Sequence, residues 1–132
     1  MKYLLDTNSL SKNAFMRAQS HNDVCTLEDV KDEFTSYGSS MTKRIPSSVT
    51  LLNIEVRHLR TLQELLSTEG ANLDFIRLYT GEGTADALIV AYILSERDNP
   101  ESLFPEEYTI VTTDTGLRNV AQKYGIACVS KV

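Results

Sequence analysis

Four acidic residues of the 132-residue chain, Asp6, Glu33, Asp86 and Asp114, stand where a carboxylate has no ordinary surface role. Asp6 closes the apolar run Tyr3-Leu4-Leu5, and Asp114 closes Tyr108-Thr-Ile-Val-Thr-Thr113, so both belong at the carboxyl ends of predicted strands. In open α/β sheets, ligands bind outside that edge. Among the acids of Glu28-Asp29-Val30-Lys31-Asp32-Glu33, helical phase singles out Glu33. It lies roughly 80° from the centre of the apolar stripe Leu27, Val30, Phe34 and Tyr37, and the other acids lie further round on the solvated face. Asp86 precedes Ile89, Val90 and Ile93 at i+3, i+4 and i+7, so its side chain leaves from a buried face, where a lone charge is costly. The ordinary role of such an acid is a helix-dipole gain of only about 0.3–1 kcal/mol. Glu82, between two glycines, is the competing acid of that region.

Four carboxylates gathered at one place require compensation. At a separation of about 5 Å and an effective dielectric of 20, each ionised pair repels by roughly 3 kcal/mol. A divalent cation held through oxygen resolves this, and without His or Cys in the set the preferred ion is Mg²⁺ or Mn²⁺ rather than zinc.

The elements that must position these acids follow from periodicity and turn signals. Strands are expected near residues 3–5, 23–26, 49–52, 108–113 and 126–129. Helices are expected over 8–18, 27–37, 57–66, with Leu59, Leu62 and Leu66 on one face, 73–79, 84–97, with Thr84 as N-cap, and 117–124. Residues 41–46 read as a loop carrying Lys43 and Arg44, and Gly125 as the residue that ends the last helix. Strands alternating with helices predict an α/β fold, a central parallel sheet covered on both faces through right-handed crossovers.

The length suits one domain spanning 1–132, able to bury a core without disulfides or a structural metal. Thirteen basic residues against 18 acidic ones give a net charge of −5, of which the proposed cluster accounts for four. Global charge therefore offers no attraction to nucleic acid, and a polyanion would depend on bound metal and local cations. Cys25 and Cys128 show no metal-ligand spacing and are expected to be buried, reduced thiols of a cytoplasmic protein. The chain begins directly with a strand, and no apolar run approaches the ~18 residues of a membrane span. His21 and His58 fall outside the acidic motifs and are expected at the surface.

These residues resemble a known family. Tyr3-Leu-Leu-Asp-Thr-Asn8, Val30-Lys-Asp-Glu-Phe34, Thr84-Ala-Asp-Ala-Leu-Ile89, and Ile110-Val-Thr-Thr-Asp114 followed by Leu117-Arg-Asn-Val-Ala121 and Gly125-Ile126 are similar, in order and spacing, to the PIN-domain ribonucleases. That family includes the VapC-type toxins of toxin-antitoxin pairs. The resemblance covers most of the chain and implies a PIN-like three-layer α/β/α fold. It implies an endoribonuclease using Mg²⁺ or Mn²⁺, with Asp6, Glu33, Asp86 and Asp114 as catalytic and metal-binding acids and Asn8 and Thr112 as polar residues of the same site. RNA is the implied substrate, with Lys43 and Arg44 the foremost candidates to hold it and Arg57, Arg60 and Arg118 behind them; an antitoxin protein and a second copy of the chain are the other implied partners. Many family members carry a further acid just beyond the last one, where this chain has Thr115 and Gly116. A catalytically degenerate RNA- or protein-binding module is therefore the alternative. A haloacid-dehalogenase-like phosphatase would need Asp-x-Asp after the first strand, and the chain has Asp6-Thr7-Asn8.

Overall fold

The computed structural model describes residues 2–6, 23–28, 49–80, 85–99 and 106–130. The expected helix over 8–18, the body of that over 27–37 and the loop over 41–46 lie outside the described residues, and with them Asn8, His21, Glu33, Lys43 and Arg44.

Five strands form one sheet: β1 (Lys2–Leu5), β2 (Val24–Leu27), β3 (Thr50–Leu52), β4 (Tyr108–Val111) and β5 (Ala127–Val129), in the order β3-β2-β1-β4-β5. Every pairing is parallel. The protein is thus an α/β fold around an all-parallel sheet, as the alternation of elements predicts. Such a strand order suits three layers, because right-handed crossovers running in opposite directions leave by opposite faces. Strands covered on both faces read as continuous apolar runs rather than alternating ones. Val24–Leu27 is accordingly buried at all four positions, as are Leu4, Leu5, Ile110 and Val111.

Four described helices follow: α1 (Val56–Thr68), α2 (Leu73–Thr80), α3 (Ala85–Arg97) and α4 (Thr115–Lys123). α3 is the central one. Residues 87–93 of it are all buried, as expected of a helix apolar around most of its circumference, and it packs against α1, α2 and α4. The carboxyl ends of α3 and α4 are tied where Arg97 Nη1 donates to the Tyr124 carbonyl at 2.7 Å. Beyond α4 the chain turns through Gly125 at φ 69°, a left-handed conformation that favours glycine.

α1 departs from expectation. Its covered face runs through His58, Leu62, Leu65 and Leu66, while Leu59 is 50% exposed. His58, expected at the surface, is 1% exposed because its ring satisfies two partners. Nδ1 accepts the Glu55 backbone N–H at 2.8 Å, closing a capping box, and Nε2 lies 2.7 Å from Glu96 Oε1. Since Nδ1 is an acceptor, the neutral ring carries its proton on Nε2 and donates it to Glu96. The ring packs on Tyr92 at a centroid distance of 4.5 Å, and the Tyr92 hydroxyl reaches that of Tyr108 at 3.4 Å. Tyr108 opens β4, so this polar group lies toward the end of that strand opposite to Thr112.

Candidate active site at the carboxyl edge of the sheet

Strand order reverses at β1. The chain steps outward from β1 to β2 and β3, then returns to place β4 against the other side of β1. The crevice beyond the carboxyl ends of β1 and β4 is the switch point at which open α/β sheets bind ligands. Leu5 pairs with Val111, so the next residues, Asp6 and Thr112, stand side by side across one inter-strand spacing of about 4.8 Å. Asp6 N–H still reaches the Val111 carbonyl at 3.3 Å, and Thr112 N–H donates to Val129 at 2.9 Å, so the ladders fix both backbones.

A chain of side-chain bonds crosses this point. Thr112 Oγ1 donates to Asp6 Oδ2, and the same hydroxyl accepts the Asp114 backbone N–H at 3.0 Å. A hydroxyl has one proton and two lone pairs; here the proton goes to one acid and a lone pair holds the backbone of the other. Asp6 and Thr112 are both fully buried. Asp114 is the N-cap of α4, its Oδ1 accepting Leu117 N–H at 3.0 Å, so the helix begins two residues before the predicted Leu117. Three residues selected from the sequence, Asp6, Thr112 and Asp114, are therefore brought together.

Asp86 lies in the first turn of α3 and is partly exposed, while Ile89, Val90 and Ile93 behind it are buried. α3 and α4 both end toward the amino edge of the sheet, where Arg97 meets Tyr124. About 20 Å of helix at 1.5 Å per residue then carries Asp86 back toward the carboxyl edge. Glu33, Asn8, Lys43 and Arg44 lie outside the described residues. Of the other candidate cations, Arg57 is engaged by Glu55 at 2.9 Å and Glu96 at 2.5 Å.

Sequence reasoning missed Asp74. Asn72 Oδ1 accepts the Asp74 backbone N–H at 3.1 Å at the start of α2, and Asp74 Oδ2 accepts from Asn119 Nδ2 of α4 at 3.3 Å. A Cβ added to Gly116 would stand 3.2 Å from Asp114 Oδ1 and 3.7 Å from Asp74 Oδ1. Gly116, noted in the sequence only as a departure, thus lets two carboxylates border one point. The available signal was Asn72 as a cap; that α2 packs on α4 is a tertiary fact.

Among the described residues, no group of three or more His, Cys, Asp or Glu side chains is close enough together to hold a metal ion. The donor set is nevertheless hard oxygen throughout: two carboxylates and a hydroxyl. Mg²⁺ commonly binds through one or two carboxylates, with water and substrate phosphate completing its shell. Asp6 and Asp114 fit that requirement in chemistry. The two cysteines take no part. Cys25 is buried, and burial pushes its thiol up to about 12; Cys128 is half-buried, and burial raises it also. No described helix is long and apolar enough to cross a membrane. Compared with known proteins, the chain matches no family model, and no curated protein resembles it at a significant level.

Proposed function

We propose that the chain is a metal-dependent endoribonuclease of the PIN type. The observation that carries this reading is the Asp6–Thr112–Asp114 arrangement at the switch point of the sheet. The resemblance had selected the same residues from their motifs. Asp6, Glu33, Asp86 and Asp114 would hold Mg²⁺ or Mn²⁺, which when bound supplies Lewis acidity to the scissile phosphate and lowers the pKa of water.

The chain's own residues prepare that chemistry. Thr112 fixes the direction of one Asp6 oxygen, and burial of Asp6 keeps bulk water from competing for it. Asp114 is held twice, by its N–H on Thr112 and its Oδ1 on Leu117, so its carboxylate needs no reorganisation when a ligand arrives. Asn8, as the resemblance implies, would orient Asp6. Lys43 and Arg44 would hold the RNA backbone in a protein whose net charge of −5 gives no general attraction for it. An antitoxin protein or a second copy of the chain would be partners of a toxin in the cytoplasm.

Incubation of the full chain with single-stranded RNA tests this, with and without millimolar Mn²⁺ and with Asp114→Asn as control. Ion-dependent cleavage that is lost in the variant supports the reading. RNA binding without cleavage under any ion assigns a degenerate binding module, the reading favoured by Thr115 and Gly116 in place of a further acid.

A further inference from the structure

An open groove of about 470 Å³ runs between α4 and the edge strand β5, lined by Arg118, Gln122, Gly125, Ile126, Ala127 and Cys128. Its volume lies within the ~300–1,000 Å³ typical of ligand sites. The two walls offer different chemistry. On β5, Val129 accepts Thr112 N–H at 2.9 Å, and pairing groups alternate along a parallel strand. Ala127 and Val129 therefore face β4, whereas Cys128 turns its backbone N–H and C=O outward, where no described residue bonds them. On α4, Arg118 lies one turn beyond Asp114, its N–H on the Asp114 carbonyl at 3.1 Å, and its guanidinium forms no ion pair among the described residues.

The strand that walls the groove is tied to the carboxylate site. β5 is joined to Thr112 through Val129. Besides being raised by burial, the Cys128 thiol is lowered by Arg118 and raised by Asp6, so one side chain feels both the groove's cation and the buried acid. We infer that this groove receives the nucleotide next to the cleaved bond of a single-stranded RNA, with Arg118 on its phosphate and the Cys128 backbone on the edge of its base. The inference rests on the ribonuclease reading above. An exposed strand edge alone would equally accept a peptide strand. The Arg118 guanidinium, which has no ion-pair partner among the described residues, favours a phosphodiester, since a chain of net negative charge must hold a polyanion through local cations.

The test has three arms on the full chain. With single-stranded RNA as substrate, Arg118→Gln is expected to raise KM about five- to tenfold with kcat within about twofold, and to lower the slope of log affinity against log salt by about 0.7. Ala127→Trp, which fills the groove from an exposed position, should raise KM similarly without lowering the melting temperature. RNA carrying 4-thiouracil should photocrosslink within residues 125–128. Wild-type cleavage with KM unchanged in both variants and crosslinks elsewhere would overturn the groove and leave the ribonuclease reading intact, with the strand edge assigned to a protein partner. A wild type that neither cleaves nor binds RNA overturns both.

Discussion

Replacing Glu69 by Gln probes the scaffold that brings Asp74 beside Asp114. Glu69 caps α1 and is 1% exposed, yet it is ionised by design of its surroundings. Lys123 Nζ reaches its two oxygens at 2.7 and 2.9 Å, Asn72 Nδ2 donates at 2.9 Å, and the Tyr124 hydroxyl donates to Oε1. Hydrogen bonds from Lys123, then Tyr124, then Asn72 outweigh burial and hold the carboxyl at about 2, against an ordinary value of 4.5. That depression corresponds to a ceiling of about 3 kcal/mol. Lys123 is 55% exposed, so solvent screens the pair and reduces the expected contribution to about 1–2 kcal/mol. Because the folded value is depressed, the stabilisation is complete above about pH 4.5 and is lost as pH falls toward 2. Urea unfolding of wild type and Glu69→Gln between pH 7 and pH 3 should therefore show a gap of about 1–2 kcal/mol that narrows to about half in acid. A gap that is constant, or that widens in acid, refutes the assignment.

Thr112→Val should cost about 2–3 kcal/mol in denaturant unfolding, since it removes a bond to a buried carboxylate and strands the Asp114 N–H. A double-mutant cycle with Asp6→Asn should give a coupling above about 1 kcal/mol, and additivity would contradict the contact. Gly116→Ala gains helix propensity of up to ~1 kcal/mol but pushes the Asp114 carboxylate by a few tenths of an ångström, so the melting temperature should hold while RNA cleavage falls about tenfold. In the folded chain Cys25, with its thiol near 12, should resist alkylation that labels half-buried Cys128, as read by mass mapping. Their rows are in register through Leu4 and Ile110, three strand spacings or about 14 Å apart, so no disulfide should join them on oxidation.

Strands and helices were legible wherever apolar periodicity was strong. The runs at Tyr3-Leu-Leu and Tyr108-Thr-Ile-Val, and the turn at Gly125, give the elements at about their observed places, while the expected cap at Thr84 lies outside the described residues. Site residues adjacent to strand ends were legible for the same reason, because a polar residue closing an apolar run stands at the sheet's edge. What sequence could not reveal depends on contacts between distant segments. His58 looks like a surface residue in a helix with few acids nearby, and only the approach of Glu96, 38 positions away, makes its burial affordable. Leu59 shares its helical spacing with Leu62 and Leu66 yet faces outward, because the covered side of α1 is set by α3. Asp74 reads as an ordinary first-turn acid until α2 packs on α4. β2 reaches Leu27, one residue past the expected end, because its pairing with Leu52 outcompetes the helix start proposed there.

The central claim is that Asp6 and Asp114 form the working site of a metal-dependent ribonuclease, and the single-turnover rate of RNA cleavage tests it most directly. Wild type in millimolar Mn²⁺ should cut single-stranded RNA; Asp6→Asn should be slower by roughly three orders of magnitude, since on this proposal Asp6 would hold the ion that activates the phosphate. Circular dichroism should show the variant folded. Equal rates for wild type and folded Asp6→Asn, or a wild-type rate unaffected by EDTA, would contradict the account.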